Sequence, residues 1–72
     1  MNEELFLNRC KELLETFRKD LSKDTIYLDS GDNSCIMNPN SKFYKLFGGQ
    51  SIGGVAKYYA GKTGKKLKYI DD

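Results

Sequence analysis

The chain of 72 residues has no histidine and no tryptophan, and it contains only two cysteines. The side chain that most often serves as a general acid or base near neutral pH is therefore missing. Two thiolates alone do not complete a four-ligand zinc site. The sequence predicts a protein that is not an enzyme, with no cofactor and no metal site.

Long apolar runs are also missing, since no segment approaches the roughly 18 consecutive apolar residues of a membrane span. The N-terminus, Met-Asn-Glu-Glu, lacks the basic and apolar regions of a secretory signal. We therefore expect no membrane partner and a cytoplasmic location. Cys10 and Cys35 are expected to be small buried side chains, and a reducing cytosol argues against a disulfide between them.

Acidic residues are absent between Asn33 and Ile70, a stretch that carries seven lysines. The preceding residues, 1–32, hold eight carboxylates against five basic side chains. The net charge of +2 is therefore the sum of an acidic N-terminal part and a basic C-terminal part. Clustered like charge repels itself, and an anionic partner relieves that repulsion. The pattern therefore predicts an anionic partner for the C-terminal half.

Residues 1–23 show the periodicity of an amphipathic helix. Asn2 is a suitable N-cap, and the helix is expected to run to about Ser22. Its apolar residues recur at spacings of three and four, namely Phe6, Cys10, Leu13, Leu14, Phe17 and Leu21.

Residues 25–37 resemble a β-hairpin. Thr25–Leu28 has the β-branched and aromatic content of a strand, residues 29–34 are turn formers, and residues 35–37 are expected to return antiparallel to the first strand.

Residues 41–61 follow as a pair of short helices around a glycine corner, with Ser41 and Ser51 as caps and Gly61 as the end. Residues 62–72 form a basic link and a last strand, added most simply to the hairpin. The predicted fold is a single α+β domain over residues 1–72. In it, a long N-terminal helix packs on a short antiparallel sheet, followed by two short helices and a C-terminal strand.

Lysines interleaved with tyrosines are typical of a nucleic-acid surface, where cations meet phosphates and rings stack on bases. No arginine follows Arg18, which favours contact without strong sequence specificity. We expect Tyr58 and Tyr69 to stack. The predicted binding residues are Lys42, Lys45, Lys57, Tyr58, Lys62, Lys65, Lys66, Lys68 and Tyr69.

Two alternatives remain open. The chain is also consistent with a small inhibitor or adaptor that docks on an acidic protein surface through the same lysines, or through Leu5 and Leu7 of the first helix. A third interpretation is capture of a small anion at the glycine corner, where a helix N-terminus offers backbone N–H groups. Its residues are Gly49, Ser51, Gly53 and Gly54. Homodimerisation through the first helix is compatible with all three.

Overall fold

The computed structural model describes residues 2–70. Met1, Asp71 and Asp72, at the outer ends of the predicted first and last segments, lie outside the described residues. In chain order the elements are helix α1 (Glu3–Thr16), strand β1 (Thr25–Leu28), a 3₁₀ turn (Ser30–Asn33), helix α2 (Tyr44–Phe47), helix α3 (Ile52–Thr63) and strand β2 (Lys66–Tyr69).

Helix α1 begins as predicted, because the side chain of Asn2 accepts a hydrogen bond of 2.8 Å from the backbone N–H of Leu5. It ends at Thr16 rather than near Ser22. Arg18 adopts a left-handed backbone with φ 65°, and the N–H of Lys19 donates to the carbonyl of Leu14. This is the Schellman arrangement that closes helices, here with arginine where glycine is usual.

The strands contradict the predicted antiparallel sheet. Thr25–Leu28 is a strand as predicted, but it pairs in parallel with Lys66–Tyr69, with Thr25 opposite Lys66 and Leu28 opposite Tyr69. Residues 35–37 form no return strand, since Cys35 and Ile36 make only isolated bridges. The hairpin and the addition of the last strand to it were therefore wrong predictions. Residues 29–65 are long enough for the crossover that parallel strands need.

The turn formers after β1 build the 3₁₀ turn instead of a hairpin loop. Asp29 caps it by accepting the N–H of Gly31 at 2.9 Å, and the carboxylate of Asp32 accepts the N–H of Asp29 at 2.9 Å. Asp32 is only 6% exposed and forms an ion pair with Lys19, which follows α1. This contact fixes the turn against the end of the first helix.

Helix α3 is longer than predicted. Ser51 caps it as expected, with its hydroxyl accepting the N–H of Gly54 at 3.0 Å. The helix continues through Gly61 to Thr63 and ends at Gly64, whose φ of 74° is left-handed. Helix α2 is shorter than the predicted helix from Ser41, because only Tyr44–Phe47 is helical.

Helix α3 contacts both α1 and the sheet. The core between these elements contains Cys10, Leu13, Leu14, Ile26, Leu28, Phe47, Val55, Ala56 and Tyr59. The shortest dimension of the molecule is 16 Å, which suits two layers, with helices over one face of the sheet. The opposite face of the sheet remains exposed.

Candidate interaction surface

The exposed face of the sheet consists of Thr25 and Tyr27 from β1 and Lys66 and Lys68 from β2, and we call it the outer face. Successive side chains of a strand alternate between the two faces, so Ile26, whose side chain is buried, lies on the other face from Tyr27. Tyr27 is 44% exposed and stands opposite Lys68 in the parallel register. One aromatic ring and two lysines therefore share this surface.

The free edge of β2 is a second feature of the same region. The N–H of Lys66 donates to the carbonyl of Asp24, and that of Ile70 donates to Leu28, each at 2.8 Å. Alternate residues of a parallel strand bond to the same neighbour, so the backbone groups of Leu67 and Tyr69 point away from β1. We call these groups the β2 edge. Within residues 2–70 they have no hydrogen-bond partner.

Two of the predicted lysines form ion pairs with α1. The Lys42 ammonium lies 2.6 Å from a carboxylate oxygen of Glu12, and the Lys62 ammonium lies 3.2 Å from one of Glu3. The hydrogen bond from Lys42, followed by that from Arg9, lowers the pKa of Glu12. The hydrogen bond to Glu3 raises the pKa of Lys62. Charges that are separated along the chain are therefore partly neutralised by the fold.

The other predicted lysines are distributed over several elements. Lys65 donates to the carbonyl of Lys23 at 2.7 Å. Lys45 lies on α2 and Lys57 on α3, both exposed. Only Lys66 and Lys68 share one face of one element, and in the described part of the chain neither forms an ion pair.

The two tyrosines predicted to stack, Tyr58 and Tyr69, lie outside the outer face. Tyr58 packs edge-on against Phe6, with 5.3 Å between ring centroids, and the Lys62 ammonium lies 5.7 Å from the centroid of its ring. Tyr69 is 59% exposed, on the opposite face of β2 from the lysines. Tyr27 was not among the predicted site residues. The alternation of Thr25–Leu28, with Ile26 and Leu28 on one face, was the signal that would have found it.

The glycine corner is closely packed at Gly53 and open at Gly49. A Cβ on Gly53 would lie 3.4 Å from the carbonyl oxygen of Asp32, whereas Gly49 has a φ of 82° and open space around its Cβ position. A Cβ at 53 would make only ordinary contact with the 3₁₀ turn, so of these two positions Gly49 alone has a backbone conformation that favours glycine.

The first N–H groups of α3 are largely used within the protein. The N–H of Gly54 donates to the Ser51 hydroxyl, that of Val55 to the Ser51 carbonyl at 3.1 Å, and that of Ile52 to the Ser34 carbonyl at 3.4 Å. An anion at this corner would compete with those bonds. The small-anion site stays a prediction.

Cys10 is buried and Cys35 is exposed, and both thiols are free. The prediction that both cysteines are buried is therefore confirmed for Cys10 and wrong for Cys35. Burial raises the pKa of the Cys10 thiol to about 11. Leu7 packs against the core, and Leu5 is exposed. Among residues 2–70, no group of three or more His, Cys, Asp or Glu side chains is placed to hold a metal ion.

Comparison of the chain with models of protein families, with curated proteins and with solved structures finds no match. In the described range, none of the helices combines the length and the apolar character required to cross a bilayer.

Proposed function

We propose that this chain is a non-enzymatic binding protein whose open sheet surface takes an acidic protein partner. The observation that carries the proposal is the two-stranded parallel sheet with an uncovered outer face. Parallel sheets are almost always covered on both faces, because their crossover helices or other elements pack there. A partner that covers this face would complete the usual arrangement.

The charge of the outer face favours an acidic partner. Lys66 and Lys68 are exposed on it, and in the described part of the chain neither is neutralised by a carboxylate. Lys42 and Lys62, in contrast, are already paired with glutamates of α1. Lys66 and Lys68 therefore form a compact cationic patch on one face of β2.

Tyr27 gives this patch an aromatic centre. Interfaces concentrate their binding energy in a few residues, and tyrosine is enriched among them. The ring is large and amphipathic, with a hydroxyl that can remain hydrated at the edge of a contact. We therefore expect Tyr27 to contribute most of the contact area, while Lys66 and Lys68 select the sign of the partner's charge.

Nucleic acid is the second candidate partner, and the position of Tyr27 opposite Lys68 favours it. An exposed ring beside cations on a sheet is a common arrangement for stacking a base while neighbouring lysines bind phosphates. Such binding would be insensitive to sequence, since lysine acts as a point charge.

The test compares two labelled probes, a short glutamate-rich peptide and an oligothymidine, by fluorescence anisotropy at ~50 and ~200 mM salt. The Lys66→Ala/Lys68→Ala variant removes the patch. The Lys45→Ala/Lys57→Ala variant removes the same charge elsewhere and serves as the matched control.

We expect the peptide to bind, and binding to weaken in the first variant and not in the control. Oligothymidine binding with a log–log salt slope of about −1.4, the value for two phosphates on a single strand, would instead support nucleic acid. Equal losses in the two double variants would contradict a role for the outer face with either partner.

A further inference from the structure

We infer that the acidic partner binds as an extended segment that adds a third strand at the β2 edge, with acidic and apolar residues in alternation. This inference rests on the proposed function, because it specifies how one segment of the acidic partner that covers the outer face reaches Lys66 and Lys68 from the β2 edge. It adds a backbone contact and a sequence pattern that the proposed function does not require.

The backbone supplies the first argument. The N–H and carbonyl groups of Leu67 and Tyr69 point away from β1, and within residues 2–70 nothing bonds to them. An unpaired strand edge is a template for another strand, and extended peptides bind many domains in this way. The backbone bonds hold the added strand, and the side chains along β2 determine which sequence it accepts.

The side chains of β2 supply the second argument. Lys66 and Lys68 project on the outer face, while Leu67 and Tyr69 project on the face that carries the core. Side chains directly opposite in neighbouring strands lie about 4.5–5.5 Å apart at Cβ and interact in pairs. An added strand therefore gains most from carboxylates on the outer side and apolar residues on the inner side, which is a strict alternation.

Two alternatives are less favourable. The acidic segment could pair with the free edge of β1, or the β2 edge could pair with a second copy of this chain. The free edge of β1 is flanked in sequence by Asp24 and Asp29, which repel an acidic segment. Antiparallel pairing of β2 with its own copy about residue 68 places Lys68 opposite its counterpart. Like charges directly opposite each other are destabilising. β2 is flanked directly by Lys65 and Ile70, with Asp71 and Asp72 only after Ile70 in the sequence, and an acidic segment paired with it places carboxylates opposite Lys66 and Lys68.

The experiment uses a fluorescein-labelled peptide, Glu-Val-Glu-Val-Glu-Val-Glu, and two versions of it that are N-methylated at every valine or at every glutamate. Only alternate amides of a strand face its neighbour, so strand addition predicts that one methylated peptide loses binding and the other retains it. We expect the Lys66→Ala/Lys68→Ala variant to bind the unmethylated peptide roughly 3- to 10-fold more weakly, from two cross-strand charge pairs.

Amide hydrogen exchange gives an independent measurement. With saturating peptide, the amides of Leu67 and Tyr69 should exchange at least ~10-fold more slowly, while those of Thr25 and Tyr27 on the β1 edge should not change. Slower exchange at Thr25 and Tyr27 alone would overturn the assignment to β2.

The outcomes separate the two proposals. If all three peptides bind equally and binding still depends on the two lysines, strand addition is wrong and the outer-face function stands. If no acidic peptide binds the folded protein while the oligothymidine does, both the inference and the acidic-partner function fail. Selective loss with one methylated peptide supports both.

Discussion

Replacement of Asp32 by alanine tests the contact between the 3₁₀ turn and the end of α1. The carboxylate of Asp32 pairs with the ammonium of Lys19, and the two side chains are only 9% and 11% exposed. It also accepts the N–H of Asp29 at 2.9 Å. The alanine variant therefore leaves a cation and a backbone donor without their partner, in a region with little water.

The expected loss is large for a chain of this size. Removal of one member of a buried ion pair costs about 3–5 kcal/mol, and Lys19 can lower that cost by turning its long side chain toward solvent. We therefore expect Asp32→Ala to reduce the free energy of unfolding by about 3 kcal/mol. A domain of 72 residues has a total of about 4–11 kcal/mol. The variant should be marginally folded at room temperature.

Urea unfolding followed by circular dichroism measures this loss. Asp29→Ala is the matched control, because it removes an exposed carboxylate of the same turn and should cost about 1 kcal/mol as a lost cap. The double variant Lys19→Met/Asp32→Ala should recover part of the loss, since no buried charge is left unpaired. A loss of stability in Asp32→Ala no larger than that in Asp29→Ala would refute a stabilising role for the buried pair of Asp32 with Lys19.

The remaining predictions use glycine, cysteine and glutamate positions. Gly61→Ala should raise the free energy of unfolding by about 0.5–1 kcal/mol, because the added Cβ would meet no neighbouring atom and alanine favours the helix. Gly64→Ala should lower the free energy of unfolding by about 1 kcal/mol, because residue 64 has a φ of 74°. Urea unfolding of the two variants tests both predictions. Ellman's reagent should label Cys35 in the native protein and Cys10 only after denaturation. The hydrogen bond from Lys42 lowers the pKa of Glu12 in the folded protein. The ionised Glu12 side chain therefore stabilises the fold above the ordinary glutamate pKa, and this stabilisation is lost as the pH falls through the folded pKa. The melting temperature of Glu12→Gln should therefore fall less at acid pH than that of the parent protein.

Local features of the fold were predictable where short-range chemistry determines them. Asn2 and Ser51 cap their helices as expected, and Thr25–Leu28 forms the expected strand. The end of α1 was not predictable from local signals, since Arg18 adopts the left-handed conformation that sequence patterns assign to glycine.

The pairing of the strands depends on contacts distant in sequence. Residues 29–34 have the composition of a hairpin loop, and the same composition suits the capped 3₁₀ turn that forms. The choice between them depends on how α3 packs on β1, which a local pattern does not encode. The candidate surface shows the same limit, because the pairs Lys42–Glu12 and Lys62–Glu3 join residues from opposite ends of the chain.

The parallel pairing of β1 with β2 also makes folding depend on contacts that are distant in sequence. β1 has no strand partner until residues 66–69 have been synthesised and α3 has brought them back across residues 29–65. Contacts with such large separation are formed slowly, because the chain entropy of closing the loop is lost before the contact stabilises it. The contacts between α1 and α3 span a similar separation, so we expect them and the sheet to form together in the folding transition. During synthesis α1 and β1 are therefore both exposed to chaperones and to aggregation until the C-terminal third of the chain has been made.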